Sequence, residues 1–171
     1  NTLIGGLAGD ALNTSNNNVA VGYQALSTDV KGTKTVAIGY QALFDQNFST
    51  NTDTYNVAVG YLAGANVTTG VQNTLIGGLA GDAITTATHT VALGIGAGGA
   101  ITEGIRNTCL GASAGDAITT GDSNIIIGFV SDVSAADGNN QFVLGNGVIS
   151  VGNGNFTFGD GTTDSNIAHG A

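Results

Sequence analysis

Large aliphatic residues recur at a fixed interval along the chain, and each is followed directly by a glycine. The residue numbers of successive glycines differ by 17, except between Gly39 and Gly60, where they differ by 21. The glycines are Gly5, Gly22, Gly39, Gly60, Gly77, Gly94, Gly111, Gly128 and Gly145. Positions in a repeat are counted from this glycine, so that position −1 precedes it and position +1 follows it. A short fixed period predicts a solenoid, in which each repeat forms one coil and neighbouring coils share a core.

The residues before each glycine alternate in the way a β-strand requires. Position −1 is always Ile, Val or Leu, position −3 is mostly β-branched, and both lie on one face of a strand. Position −2 lies on the other face and is also free of polar residues. Because a strand that is apolar on both faces is buried on both, we expect positions −3 and −1 to fill the coil and position −2 to contact other copies. The candidate residues for that contact are Leu3, Ala20, Ala37, Ala58, Leu75, Ala92, Cys109, Ile126 and Val143.

Two further features complete the predicted coil. Position −4 is Asn, Thr or Gln in every repeat, and stacked amides of this kind can form a hydrogen-bonded ladder. A second apolar and threonine-rich stretch follows the glycine, as in residues 82–86, and predicts a second short strand. The predicted fold is therefore all-β: a β-solenoid, or parallel β-roll, with two short strands in each regular coil. Nine coils would span roughly 40 Å at about 4.8 Å per stacked strand.

The repeats divide the chain into two parts. Residues 1–150 are predicted to form the nine-coil roll, and residues 151–171 a shorter-period, glycine-rich ending or linker. The one longer interval holds four extra residues, and insertions in solenoids leave the stack as loops. This loop is the candidate recognition site, with Phe44, Phe48 and Tyr55 as its binding residues. The alternative is a bulge whose aromatic rings fold back onto the rod.

The charge balance limits the partners of this chain. Its formal net charge is −9, from twelve acidic and three basic residues, so the clustered cations that bind nucleic acid or an anionic membrane are missing. No apolar run reaches the roughly 18 residues of a membrane span, and no signal peptide is visible. We therefore expect no nucleic-acid binding and no membrane insertion. The chain starts at Asn1 rather than Met, as expected of a piece of a longer or processed protein.

The sequence offers no arrangement of residues typical of catalysis. Cys109 has no histidine close to it in sequence, so we interpret it as a small buried hydrophobe. The aspartates at position +5 lack the nine-residue pattern of calcium-binding rolls. They are Asp10, Asp82 and Asp116. His89 and His169 are isolated and do not suggest a metal site. We predict no enzymatic activity, no catalytic residue, no cofactor and no metal.

Residues 1–150 resemble the repeats of two groups of fibrous proteins. The motifs NVAVGYQAL, TVAIGYQAL and NTLIGGLAGDA are similar to repeats of phage tail fibres and to those in the heads of trimeric autotransporter adhesins. The ending NQFVLGNGVISVGNG is similar to the segment that precedes a self-cleaving chaperone in some phage fibres. The resemblance implies a left-handed β-roll that assembles as a homotrimer.

Three functions remain open at this point. The first is a structural and adhesive segment of an extracellular trimeric fibre, in particular a phage tail fibre that attaches a virion to its host. The second is a bacterial surface adhesin or filament subunit of the trimeric autotransporter type. The third is a monomeric solenoid that binds ions, ice or glycans. The expected partners are other copies of the chain and a glycan or protein receptor on the host surface.

Overall fold

The computed structural model describes residues 1–168, which fold as an all-β solenoid. The strands are β1 (Thr2–Ile4), β2 (Val19–Val21), β3 (Gly32–Thr33), β4 (Val36–Ile38), β5 (Thr52–Asp53), β6 (Val57–Val59), β7 (Thr74–Ile76), β8 (Val91–Leu93), β9 (Thr108–Leu110), β10 (Ile125–Ile127), β11 (Phe142–Gly145), β12 (Asn155–Gly159) and β13 (Ser165–Ala168). All except β3 and β5 form one eleven-stranded sheet in chain order, and β3 pairs with β5 separately. From β1 to β12 the neighbouring strands of the large sheet are parallel. The predicted all-β solenoid of stacked parallel strands is confirmed.

The register of the sheet follows the spacing of the glycines. Most consecutive strands pair one repeat apart along the chain, as Leu75 does with Ala92. The last parallel pair is offset by less than a full repeat, because Phe142 lies opposite Phe156. The final strand, β13, then pairs antiparallel with β12. His169 lies outside the described residues.

The two faces of the strands are reversed relative to the sequence prediction. Position −2 lies inside the coil and is fully buried within a single chain, so it does not face other copies. The residues corrected in this way are Ala20, Ala37, Ala58, Leu75, Ala92, Cys109, Ile126 and Val143. Leu3 pairs with Ala20 in the same column, but it lies in the first strand of the sheet and is 43% exposed. Positions −3 and −1, for which the sequence predicts a place in the core, lie on the outside.

The narrow interior of the coil explains this reversal. A Cβ placed on Gly81 would stand 2.8 Å both from a methyl group of Leu75 and from a methyl group of Ile84, so the two walls of the coil meet there. Only a small residue or a single larger aliphatic side chain fits between walls this close. Cys109 occupies such a place and is confirmed as a buried hydrophobe. Burial, followed by the nearby aspartates, raises the pKa of its thiol to about 12.

The predicted amide ladder at position −4 is present. Asn107 donates from Nδ2 to the carbonyl oxygen of Gly121 at 2.7 Å, and its Oδ1 accepts the backbone N–H of Asn124 at 3.0 Å. Asn56 and Asn73 form the same pair of bonds further down the rod. The ladder is interrupted where position −4 is threonine: Thr35 bonds to the Thr54 hydroxyl, and within residues 1–168 the buried Thr90 hydroxyl has no partner. The amides therefore fix neighbouring coils to one another only where position −4 carries one.

The second predicted strand of each coil is wrong for most of the chain. In residues 1–168 this side of the coil is irregular, apart from the short pair of β3 and β5 and an isolated bridge between Asp132 and Ile149. Hydrogen bonds still join successive coils there: the backbone N–H of Thr85 donates to the carbonyl oxygen of Thr102 at 3.0 Å, and the Thr85 hydroxyl donates to the same oxygen at 3.1 Å. Thr68 and Thr102 use their hydroxyl groups in the same way. A regular coil therefore has one strand and one irregular, hydrogen-bonded side.

The glycine that defines the repeat lies where the backbones of successive coils are in contact. Gly77 has a φ of +135°, a backbone conformation that residues other than glycine rarely adopt. A Cβ on Gly77 would stand 2.6 Å from the carbonyl carbon of Gly94 in the next coil. Both the backbone conformation and the close approach therefore require glycine.

Candidate functional site

The outward side chains of the large sheet form a continuous surface, which we call the apolar face. It consists of positions −3 and −1 of the strands from β1 to β11, where the side chains are Val, Ile, Leu, Thr and one Phe. Leu93 is 45% exposed, and Ile4, Ile38, Ile125 and Leu144 are exposed as well. Most of the other members are half-buried. The surface runs along the whole stack of coils because every repeat contributes to it.

Side chains at position +1 extend the apolar face beyond the ends of the strands. Tyr23, Tyr40 and Tyr61 stack on one another, with successive ring centroids 5.7 and 5.4 Å apart. Ile95 and Phe129 occupy the same position +1 in later coils, and Ile95 is 68% exposed. Soluble monomers rarely expose contiguous apolar patches larger than a few hundred Å², and larger patches mark interaction sites. The apolar face is therefore the main candidate functional surface.

The insertion folds against the rod at both of its ends. Thr52 and Asp53 form β5, which pairs with β3 of the preceding coil. Phe48 is only 7% exposed, so the prediction that it contacts a receptor is wrong, because its ring folds back onto the protein. Phe44 is half-buried, and Tyr55 is 49% exposed. Of the three predicted binding residues, Tyr55 thus presents its side chain most openly.

The Tyr55 side chain is held in place by a neighbouring cation. Lys34 donates from Nζ to the Tyr55 hydroxyl at 3.0 Å, and this nitrogen lies 5.0 Å from the centre of the ring. The same ammonium group forms an ion pair with Asp53 at 2.6 Å. The bonds to Asp53 and then to Tyr55 raise the pKa of Lys34 to about 12, and the bond from Lys34 lowers the pKa of Asp53. Tyr55 therefore has a defined orientation at the surface.

The insertion also places a polar network inside the rod. Gln46 lies at position +7, where most coils bury an aliphatic residue, and its Nε2 donates to Oδ2 of Asp29 at 2.6 Å. Its Oε1 accepts a hydrogen bond from Nδ2 of Asn56 at 2.8 Å. Asp29 also accepts the backbone N–H of Gly32 at 2.9 Å. Sequence reasoning missed this network, whose only signal was a polar residue at position +7 in two consecutive repeats.

A buried carboxyl group lies at position +4 of the coil around Gly128. Asp132 accepts the backbone N–H of Val133 at Oδ1 and that of Ala117 at Oδ2, each at 2.8 Å. Its carboxyl group lies beside that of Asp116. Burial, followed by the Asp116 carboxyl group, raises the pKa of Asp132 to about 7. Sequence reasoning did not identify Asp132, because one aspartate near a turn is ordinary.

The stability of the rod should include a component that falls as the pH rises from about 4 to about 7. In this interval the unfolded chain ionises Asp132 near its ordinary pKa of 3.8, whereas the folded chain keeps the proton until the pH approaches 7. Asp132→Asn cannot ionise, so between pH 4 and pH 8 its melting temperature should rise relative to that of the wild type by at least about 2 to 4 °C. This change adds to a loss that is the same at both pH values, because the amide NH2 cannot accept one of the two backbone hydrogen bonds that the carboxylate accepts. Thermal melting of both proteins between these values measures the difference. An offset that does not change with pH would contradict the raised pKa.

The aspartates at position +5 do not come together as a metal site. Asp10 accepts a hydrogen bond from the Ser27 hydroxyl at 2.6 Å, and Asp82 and Asp116 lie further along the rod. Within residues 1–168, no three His, Cys, Asp or Glu side chains are grouped as a metal ion requires. In the same part of the chain, no helix has the length and apolar character needed to cross a membrane.

The features above define a parallel β-solenoid with one apolar outer face. Comparisons with protein-family models, with curated proteins and with solved structures gave no match. The apolar face and the surface around it are therefore the features of this chain that bear on its function.

Proposed function

We propose that this chain is a segment of an extracellular homotrimeric fibre, and specifically of a phage tail fibre that attaches a virion to the surface of its host. The observation that supports this proposal is the apolar face, which every coil extends and which remains exposed in a single chain. Apolar surface that is exposed to water favours association, because its removal from water is favourable. Three chains that bury their apolar faces against one another form a rod without an exposed sheet of aliphatic side chains.

Three parallel copies suit this surface better than an open-ended assembly. The apolar face is confined to one side of the coil, so three copies can all turn it toward a common axis parallel to the rod. A closed ring of this kind leaves no apolar face free to recruit further chains. The other sides of each coil then remain outside, and their turns stay available for contact with solvent or a receptor.

The attachment role rests on the surface that stays outside such a trimer. A rigid, elongated scaffold with residues on irregular turns is typical of binding proteins, because loops held by a rigid frame can vary without loss of the fold. In this chain the insertion is the one departure from the regular repeat within residues 1–150. In that insertion Ser49, Thr50 and Asn51 are exposed, and their hydroxyl and amide groups are available to a glycan or a protein receptor.

The assembly is tested by the mass of the purified chain in solution. Multi-angle light scattering should give about three times the chain mass of 16.8 kDa, at all concentrations above the micromolar range. A mass equal to one chain, or an increasing series of larger aggregates, would contradict the proposal.

The attachment role is tested by binding of the fluorescently labelled trimer to a panel of bacterial strains and to polysaccharide purified from them. Replacing Thr50 and Asn51 together by alanine should weaken that binding, and a trimer that binds no strain would remove the adhesive role.

A further inference from the structure

The two edges of the apolar face differ in charge. In a parallel sheet all strands begin at one edge and end at the other, and position −5 lies two residues before each strand. This column, the amino-terminal edge, contains only neutral or cationic residues: Asn17, Lys34, Tyr55, Gln72, His89, Arg106, Ser123 and Asn140. All of them have φ between +52° and +61°, so their side chains leave the backbone in the same direction.

The opposite edge has the opposite charge. Position +5 follows the strand and the glycine, and it contains only neutral or acidic residues. This column, the carboxyl-terminal edge, consists of Asp10, Ser27, Phe44, Ala65, Asp82, Gly99, Asp116, Val133 and Ser150. In a chain with only three Lys and Arg residues, two of them, Lys34 and Arg106, lie in the amino-terminal edge.

Among the residues that the structure describes, neither Arg106 nor Asp116 forms an ion pair, since the ion pair found there joins Lys34 to Asp53. Arg106 donates from Nε to the Ser123 hydroxyl at 3.1 Å and is exposed. Asp116 is exposed, and its neighbour is a second carboxyl group rather than a cation. Two adjacent carboxyl groups are unfavourable when both are charged, and a cation from outside the chain would stabilise them.

The symmetry of the proposed trimer brings these groups together. When parallel copies surround an axis along the rod, the amino-terminal edge of each copy meets the carboxyl-terminal edge of the next. Rotation about that axis keeps every residue at its own height, and Arg106 and Asp116 belong to the same coil around Gly111. We infer that the cationic edge of one copy lies against the acidic edge of the next, with Arg106 paired to Asp116 of the neighbouring copy. This inference rests on the proposed trimer and adds its direction and its register.

Disulfide cross-linking tests the register directly. Arg106→Cys and Asp116→Cys are combined with Cys109→Ala, which gives position −2 the alanine it has in several other repeats. Mild oxidation should link the chains into a covalent trimer on a non-reducing gel, because a disulfide forms only between Cα atoms about 4.4 to 6.8 Å apart. The control protein carries Gln72→Cys in place of Arg106→Cys. Gln72 lies two coils lower than Arg106 and therefore about 10 Å away from it along the rod. The control should remain unlinked.

The outcomes separate this inference from the proposed function. If light scattering gives a trimer, but the Arg106→Cys and Asp116→Cys protein links no better than the control and exchanging the two charges restores no affinity, the edge pairing is wrong and the trimer stands. If the mass is that of a single chain, both the edge pairing and the proposed trimer fail.

The charges are tested by Arg106→Asp, which should raise the trimer dissociation constant by about tenfold at low salt. Adding Asp116→Arg to that variant should restore it, and a double variant as weak as the single one would overturn the ion pair.

Discussion

Gly77→Ala is expected to lower the free energy of unfolding by about 3 kcal/mol or more, although it adds one methyl group. The φ of +135° at Gly77 would cost an alanine about 1 to 3 kcal/mol. The new Cβ would also stand 2.6 Å from the carbonyl carbon of Gly94, and overpacking of this kind costs roughly 1 to 3 kcal/mol. The contact is with backbone, which cannot rotate away as a side chain could. We therefore expect the ladder between β7 and β8 to open locally.

Gly78→Ala is the matched control for this prediction, because it adds the same methyl group one residue later. The nearest atom to a Cβ on Gly78 is the carbonyl oxygen of Tyr61, at 3.9 Å, and Gly78 does not have a left-handed backbone conformation. Its stability should stay within about 0.5 kcal/mol of the wild type. Guanidinium unfolding followed by circular dichroism, at equal chain concentration, measures both variants. Equal losses in Gly77→Ala and Gly78→Ala would contradict a backbone contact specific to the first glycine.

The solenoid could be predicted from the sequence because the glycine that defines the repeat is required for the same steric reason in every coil. The backbone of each coil contacts the coil above it at this point, so any other residue is excluded from all nine repeats in the same way. The amide ladder was predictable for a similar reason, since a buried Asn such as Asn107 must find the same partners in each coil. Periodicity therefore reports the contacts that are made along the rod.

The assignment of the two strand faces could not be made from periodicity, because both faces are apolar. Ala92 and Leu93 differ in size rather than in polarity, and the former is fully buried while the latter is 45% exposed. The decision depends on the width of the coil, which is set by residues on its far side such as Ala97 and Ile101. Small side chains marked the place where two walls of one chain meet, and the sequence interpretation assigned them to contacts between chains instead.

The candidate binding residues were predictable in part, because aromatic residues in an insertion do not reveal which way they point. Phe48 and Tyr55 are both aromatic and lie in the same insertion, yet the first is buried and the second is exposed beside Lys34. The difference arises from the pairing of β3 with β5, which fixes the second half of the insertion against the preceding coil. That pairing involves two residues in each strand, too few for a recognisable sequence pattern.

Opposite outcomes are expected for the same substitution at two adjacent residues of β7. Leu75 is fully buried inside the coil, so Leu75→Asp places an unpaired carboxylate among aliphatic side chains. We expect a loss of more than about 4 kcal/mol, which would prevent the chain from folding as a regular stack. Circular dichroism and thermal melting of the purified variant measure this result. A cooperative transition close to that of the wild type would contradict the inward orientation of position −2.

Ile76→Asp should leave the coil folded and separate the chains. Ile76 lies on the apolar face and is half-buried, so within one chain its aspartate can reach water and should cost about 1 kcal/mol or less. In the proposed trimer the same side chain turns toward the common axis, where three carboxylates would be brought together without cations. Light scattering should then give the mass of one chain, while circular dichroism retains the β-sheet signal. If the variant remains trimeric, the chains contact one another through a surface other than the apolar face. If it unfolds as Leu75→Asp does, position −1 lies in the core rather than on the outside.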